Sequence, residues 1–105
     1  MNILFFGDVI GRPGREALRY IIPKWKKELA PDIVIANGEN ISHGKGISER
    51  TLKELLDAGV DVITSGNHAT SGPGALELLK DEKITLIRPI NFLPNIPGRG
   101  FLVKT

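Results

Sequence analysis

Three short polar clusters, each opened by a glycine, are the part of this sequence that could do chemistry. They are Gly7–Asp8, Gly38–Glu39–Asn40 and Gly66–Asn67–His68, about thirty residues apart, and each follows an apolar run. Glycine lets the backbone turn sharply and approach a ligand closely. Carboxylate and amide oxygens together with one imidazole suit a divalent ion of intermediate hardness, such as Mn, Fe or Zn. The clusters therefore predict a ligand or metal site.

Each residue of these clusters also has a purely structural interpretation. A single Asp or Asn after a strand is commonly a turn residue or a helix cap, and a lone histidine is commonly structural or simply exposed. Three glycine-led clusters after three consecutive strands are explained better by a shared site than by the ordinary preference of these residues for turns. Since ligands of open α/β sheets bind outside the carboxyl ends of the strands, we expect the clusters to converge on one rim.

The elements that must position these clusters follow from the hydropathy pattern. Short apolar runs predict strands, and apolar residues at helical spacing predict amphipathic helices. The predicted strands are 2–7, 32–36, 61–64, 84–87 and 101–104, and the predicted helices are 14–29, 49–58 and 74–80. The alternation predicts an α/β fold, a parallel or mixed sheet with flanking helices.

The first two predicted helices have a predictable buried face and predictable ends. The first helix should bury a stripe comprising Leu18, Ile21, Ile22, Trp25 and Leu29. We expect Pro23 to kink or restart that helix, because proline lacks the N–H that the helix interior uses. Ser48 should cap the N-terminus of the second helix, and Gly59 should end it.

Length and composition bound the protein class. The sequence has 105 residues, 41% hydrophobic and 25% charged, which fits one globular domain. The absence of cysteine excludes disulfides, thiolate zinc sites and cysteine nucleophiles. A net charge of only +2 predicts no DNA-binding surface unless the basic residues cluster. The apolar runs are too short to span a bilayer and the first residues do not resemble a signal peptide, so we expect a cytoplasmic protein without a membrane partner.

Other motifs carry weaker predictions. The glycines of residues 7–14 do not have the G-x-G-x-x-G spacing of dinucleotide-binding loops, and no P-loop motif is present. Residues 44–46 (Gly-Lys-Gly) are interpreted first as a solvated basic turn, with contact to a phosphate as the alternative. Arg88 either clamps an anion or forms a surface ion pair.

The three clusters, together with further segments, resemble a known bacterial family. The matching segments are Gly7-Asp8-Val9-Ile10-Gly11-Arg12-Pro13-Gly14-Arg15, Asn37-Gly38-Glu39-Asn40, His43-Gly44-Lys45-Gly46, Gly66-Asn67-His68, Arg88-Pro89-Ile90-Asn91-Phe92 and Pro97-Gly98-Arg99-Gly100. They resemble the 2′,3′-cyclic-nucleotide phosphodiesterase branch of the calcineurin-like metallophosphoesterases, in register along the whole chain. The resemblance implies an α/β/β/α sandwich around two divalent metal ions, usually iron or manganese. It implies a phosphodiester or cyclic-nucleotide substrate, and it leaves a homo-oligomer open, since relatives form oligomers.

The resemblance also implies a role for each candidate residue. Asp8 would bind the first metal, Glu39 would bridge both, and Asn40 would complete the first metal's shell from this half of the protein. Asn67 would bind the second metal, and His68 would be the general acid that protonates the leaving oxygen. Physical chemistry agrees, because two cations can hold phosphoryl oxygens and an imidazole titrating near neutrality suits leaving-group protonation.

The histidine content bears on the domain organisation. The family's remaining metal ligands are three histidines in a second half of the protein, whereas this sequence contains only His43 and His68. We therefore expect residues 1–105 to be the N-terminal part of a single metallophosphoesterase domain that is truncated here.

Three functional hypotheses remain open at this point. The first is the metal-binding half of a dinuclear phosphodiesterase, with weak or absent catalysis by the 105 residues alone, because their ligands leave both ions under-coordinated. The second is an α/β module that binds a metal or phosphate without turnover. The third is an inactive fragment with an exposed apolar sheet face.

Overall fold

Three parallel strands and three helices alternate along the chain, which the computed structural model describes from Met1 to Thr105. The elements are β1 (Ile3–Phe6), α1 (Gly11–Leu29), β2 (Ile33–Asn37), α2 (Glu49–Ala58), β3 (Val62–Thr64) and α3 (Ala75–Lys80). The strands form one sheet in the order β1-β2-β3, with Phe5 opposite Ile35 and Ile35 opposite Val62. The predicted α/β fold with a parallel sheet and flanking helices is confirmed.

The core lies between one face of the sheet and the helices α1 and α2, which contact each other. Ile22 of α1 and Leu55 of α2 are fully buried in the same apolar cluster as Val34 of β2. At the edge of this cluster the ring of Phe6 stacks on Trp25, with ring centroids 5.9 Å apart. Burial of the alternate side chains of each strand therefore fixes the sheet against the helices and holds its carboxyl ends in place.

The opposite face of the sheet is apolar as well, but it is largely open. Ile3 and Phe5 are 59% and 56% exposed. Residues 100–102 and Lys104 border a cavity of about 240 Å³ on this face, which is lined by Ile35 and Val62 among others. Parallel sheets are normally covered by other elements on both faces. Their strands are then apolar on both sides, as the strands of this sheet are.

Two predicted strands differ in the structure. Residues 84–87 form a single parallel bridge, in which Leu86 pairs with Ile63, and not a full strand. The prediction of a strand at 101–104 is wrong, because the backbone of these residues pairs with no strand of the sheet. Phe101 and Val103 are accordingly exposed.

The helices follow the sequence more closely. Ser48 accepts a hydrogen bond from the Thr51 N–H in a capping box, and Gly59 ends α2 in the left-handed conformation, as predicted. The restart that Pro23 could have caused is not found, since α1 runs through this exposed residue without a break. Leu29 is 51% exposed and does not join the buried stripe, because it lies in the last turn of α1. None of the three helices combines the length and the hydropathy that a membrane span needs.

Candidate functional site

Main-chain hydrogen bonds tie together the loops that follow β1, β2 and β3. The Val9 N–H donates to the Asn37 carbonyl at 3.1 Å, and the Gly38 N–H donates to the Thr64 carbonyl at 2.8 Å. Each bond joins the loop after one strand to the end of the next strand in the sheet. The polar clusters that follow the strands are thereby held side by side at one rim.

Asn40 lies at the centre of this rim and connects two of the other candidate residues. Its Nδ2 donates to Asp8 Oδ1 at 2.7 Å, and its Oδ1 lies 2.6 Å from His68 Nδ1. The main-chain N–H of His68 donates to Glu39 Oε2 at 3.2 Å. Asp8, Asn40, His68 and Glu39 therefore form one hydrogen-bonded chain across all three strand ends. Asn67 precedes His68 at the same rim and is exposed.

This chain of hydrogen bonds determines the proton positions on His68. An ionised Asp8 can only accept, so Asn40 must present its NH₂ to Asp8 and its carbonyl oxygen to His68. The His68 Nδ1 must then carry the proton that it donates to Asn40. The other ring nitrogen, Nε2, is left to exchange a proton with a bound molecule.

The carboxylate of Glu39 occupies space that the missing side chain of Gly66 leaves open. A Cβ atom at position 66 would lie 2.5 Å from Glu39 Oε1 and 2.6 Å from Oε2, which is closer than real Cβ atoms approach an oxygen. Position 66 must therefore be glycine because the Glu39 carboxylate lies so close to its Cα, and not because its backbone angles are unusual. It allows Glu39 to reach across from the end of β2 to the backbone of His68.

The backbone at Asp8 is unusual for a residue other than glycine. Its φ is +24°, whereas side-chain-bearing residues rarely adopt positive φ. Aspartate tolerates this region better than most residues, and such conformations cluster at ligand sites, where the surrounding structure imposes them. The conformation aims the Asp8 carboxylate at Asn40 and keeps it exposed to solvent.

The site is a shallow rim open to solvent. The side chains of Glu39 and His68 are 19% and 31% exposed, and Asp8 is exposed. The loop of residues 42–46 is tied to the rim by one main-chain hydrogen bond, in which the Glu39 carbonyl accepts from the Gly46 N–H at 2.6 Å. The Asn40 carbonyl accepts from the Gly11 N–H at 2.9 Å, which ties the rim to the start of α1. An incoming ligand would reach the carboxylates directly from solvent.

The donor chemistry fits part of a divalent-metal site. Two carboxylates and two amide groups lie at the rim, and the space over Gly66 leaves the Glu39 carboxylate in place to act as a ligand. No group of three or more His, Cys, Asp or Glu side chains is close enough to hold a metal ion by itself. These residues therefore offer oxygen donors of a suitable kind but do not form a complete metal site by themselves.

One positioning contact was not predicted from the sequence. Arg15 of α1 is buried, and it donates to the Ile41 carbonyl and to the Glu54 carboxylate. It thereby holds the residue directly after Asn40 against α1. No sequence pattern reveals this, because the three partners come from separate segments of the chain.

Comparisons with known proteins agree with this architecture. Residues 4–105 match the family described as YmdB-like protein. The chain is 42% identical over 100 residues to the 2′,3′-cyclic-nucleotide 2′-phosphodiesterase of Bacillus subtilis (strain 168), an alignment covering 95% of this chain and 38% of that protein.

Two crystal structures are similar over nearly the whole chain. A hypothetical protein from Thermus thermophilus superposes with a TM-score of 0.91 at 39% identity, covering 100% of this chain and 40% of that one. A novel phosphatase from Mycoplasma pneumoniae superposes with a TM-score of 0.89 at 35% identity, covering 98% and 38%. The chain thus spans about two fifths of the length of these relatives. With the family matched over residues 4–105, the chain belongs to the YmdB-like family.

Proposed function

We propose that this chain supplies one rim of the active site of a metal-dependent phosphodiesterase that hydrolyses phosphodiesters such as cyclic nucleotides. The observation that carries the proposal is the hydrogen-bonded chain Asp8–Asn40–His68–Glu39, which gathers two carboxylates, an amide and an imidazole from three strand ends. The similarity to a B. subtilis phosphodiesterase and an M. pneumoniae phosphatase supports the same reaction class.

In this proposal Asp8, Glu39, Asn40 and Asn67 provide the ligands that this chain contributes to two divalent ions, iron or manganese. Bound divalent ions supply Lewis-acid polarisation of the phosphoryl oxygens and charge neutralisation in the transition state. Asn40 has a second task, because it keeps the proton of His68 on Nδ1 while it positions Asp8. Loss of Asn40 would therefore disturb a ligand and the acid together.

His68 is proposed as the general acid. Its Nδ1 is engaged by Asn40, so its Nε2 is the atom that would protonate the leaving oxygen. The Glu39 carboxylate lies 3.7 Å from Nδ1, on the side of the ring that faces Asn40. The half-buried position of the ring restricts its orientation without closing it off from substrate.

The open sheet face supports a proposal about the domain. We propose that residues 1–105 are the N-terminal part of a larger metallophosphoesterase domain whose remaining part covers Ile3 and Phe5. Two observations support this: both faces of the sheet are apolar, and the chain spans 38% of the B. subtilis relative. The missing metal ligands would then come from the segment that covers this face.

The test measures metal binding and turnover by the 105-residue chain. We expect Mn²⁺ to bind, measured by the loss of the free-ion EPR signal, and Asp8→Asn or Glu39→Gln to weaken binding about 10- to 100-fold. Asp57→Asn is the matched control, because it removes an exposed carboxylate on α2, away from the rim. Failure of the chain to bind Mn²⁺, or equal weakening by all three variants, would contradict the metal site.

Turnover separates the enzyme from the alternatives. Hydrolysis of bis(p-nitrophenyl) phosphate with added Mn²⁺ should be slow and should be lost in Asn67→Ala and His68→Ala. Asp57→Asn, which changes an exposed carboxylate on α2 away from the rim, should keep the wild-type rate. Bound Mn²⁺ without any turnover would favour a metal-binding module, and absence of metal together with aggregation would favour an inactive fragment.

A further inference from the structure

A second polar depression lies between α1 and α2, and none of the five candidate site residues lines it. It has a volume of about 500 Å³, and no hydrophobic side chain lines it. Its lining comprises Arg12, Arg15, Arg19, His43, Arg50 and two glutamates. We call this depression the arginine groove. Four arginines from two helices and a histidine from the loop between them are brought together only by the fold.

The two glutamates neutralise two of these arginines and no more. Glu16 pairs with Arg12 at 2.8 Å, and this hydrogen bond lowers the pKa of the Glu16 carboxyl, so the pair stays charged and mutually satisfied. Glu54 is held by the buried Arg15.

Two arginines of the groove have charge to spare. Arg19 is 64% exposed and lies 4.0 Å from Glu54, at the outer limit of an ion pair. Arg50 is exposed, and its charge is not used by either glutamate. The groove therefore carries an excess of two positive charges, equal to the formal net charge of the whole chain.

The positive surface continues around the loop of residues 42–46. A neighbouring depression of about 390 Å³ shares His43 and Arg50 with the arginine groove and adds Lys45. The cations thus follow a track along the surface and do not converge on a single point. Such a track suits a chain of phosphates better than one compact anion, and positively charged grooves follow nucleic-acid backbones in this way.

The track begins next to the candidate active site. His43 is three residues from Asn40, so the two Cα atoms are at most about 11 Å apart. The loop that carries His43 is tied to the site by the hydrogen bond that the Gly46 N–H donates to the Glu39 carbonyl. A strand whose end lies at the rim could therefore place its next phosphates on the track.

We propose that the arginine groove and Lys45 bind the sugar-phosphate backbone of a single-stranded oligonucleotide whose terminal phosphodiester lies at the Asp8–Asn40–His68–Glu39 rim. This inference rests on the proposed function and specifies its substrate class. The groove contains no Phe, Tyr or Trp side chain, and its cations contact phosphates, so recognition is by charge and independent of base sequence. The groove could not be recognised in the sequence, because the net charge of the chain is only +2 and the cations of the groove come from three separate segments.

The experiment measures binding of a short fluorescein-labelled oligouridylate to the 105-residue chain by fluorescence anisotropy, in EDTA so that no hydrolysis occurs. We expect Arg19→Gln/Arg50→Gln to weaken binding about tenfold or more and to reduce the slope of log K against log salt by about 1.4. Arg19→Lys/Arg50→Lys should retain most of the affinity, since it keeps both charges. Lys24→Gln/Lys83→Gln, which removes two exposed charges outside the groove, should bind as the wild type does.

The outcomes separate this inference from the proposed function. Equal weakening by the groove and control variants, absence of oligouridylate binding, or charge-dependent binding to phosphatidylserine vesicles alone would overturn the oligonucleotide site. Those results would leave Mn²⁺ binding at Asp8 and Glu39 untouched. Loss of binding confined to the groove variants would support the site even if no metal-dependent turnover were found.

Discussion

Replacing Gly66 by alanine tests the geometry of the candidate site most directly. The new methyl group would lie 2.5 to 2.7 Å from three atoms of the Glu39 carboxylate. The φ of Gly66 is not in the left-handed region, so alanine fits the backbone there without strain. The clash is therefore with the end of one side chain, and it should displace that side chain without unfolding the protein.

The structure also gives the size of the displacement. Ordinary van der Waals contact begins at 3.4 Å, so the carboxylate must move by about 0.9 Å from its present place. That movement breaks its hydrogen bond to the His68 N–H, now 3.2 Å long. Glu39 remains accessible to water, and alanine lowers the entropy of the unfolded chain, so we expect the free energy of unfolding to change by no more than about 1 kcal/mol. The affinity for Mn²⁺ should fall about 10- to 100-fold.

Two measurements check this expectation. ¹⁵N NMR should show the His68 amide moving upfield as its acceptor is lost, and Mn²⁺ titration followed by EPR should show the weaker binding. Gly7→Ala is the matched control, because a Cβ at position 7 would meet no atom within 4 Å. A folded Gly66→Ala protein with the wild-type His68 amide shift and unchanged Mn²⁺ affinity would refute the argument that Gly66 makes room for Glu39.

Two further predictions concern α1. Arg15→Met should lower the free energy of unfolding by about 2 to 3 kcal/mol in urea denaturation, because the Ile41 carbonyl and the Glu54 carboxylate lose a charged donor. The control Arg19→Met, at an exposed residue, should lower it by less than about 0.5 kcal/mol. Equal effects of the two substitutions would contradict the buried role of Arg15. Arg12→Gln should raise the pKa of Glu16 back toward 4.5 in a ¹³C NMR titration, since the hydrogen bond from Arg12 lowers it. Because the pKa of Glu16 is lower in the folded protein than in the unfolded chain, the pair stabilises the fold at any pH above the pKa of the unfolded state. This contribution is lost as the pH falls through the pKa of the folded state. An unchanged Glu16 titration would show that the pair does not persist in solution.

Much of the fold could be predicted from the sequence because it depends on local patterns. The apolar runs predicted the three strands of the sheet, and the helical spacing of apolar residues predicted α1 and α2, including the Ser48 cap. The prediction failed where an element needs a distant partner. Residues 101–104 have the composition of a strand, but no strand forms there because their backbone pairs with no strand of the sheet.

The positions of the candidate site residues also followed from a local rule, whereas their contacts did not. Polar clusters after parallel strands had to meet at one sheet edge. The sequence could not show that Asn40 joins Asp8 to His68, nor that Glu39 fills the space over Gly66, because both depend on side-chain directions set by the packed core.

The sequence by itself determined the α/β alternation, the glycine-led clusters after three strands and the scarcity of histidine. These are properties of residue type and spacing along one chain. Only the tertiary structure decided which ring nitrogen of His68 is free, that one sheet face stays open and that arginines from α1 and α2 share a groove. The physical reason is distance: hydrogen bonds and charge interactions act over a few ångströms, and only folding brings residues thirty positions apart within that range.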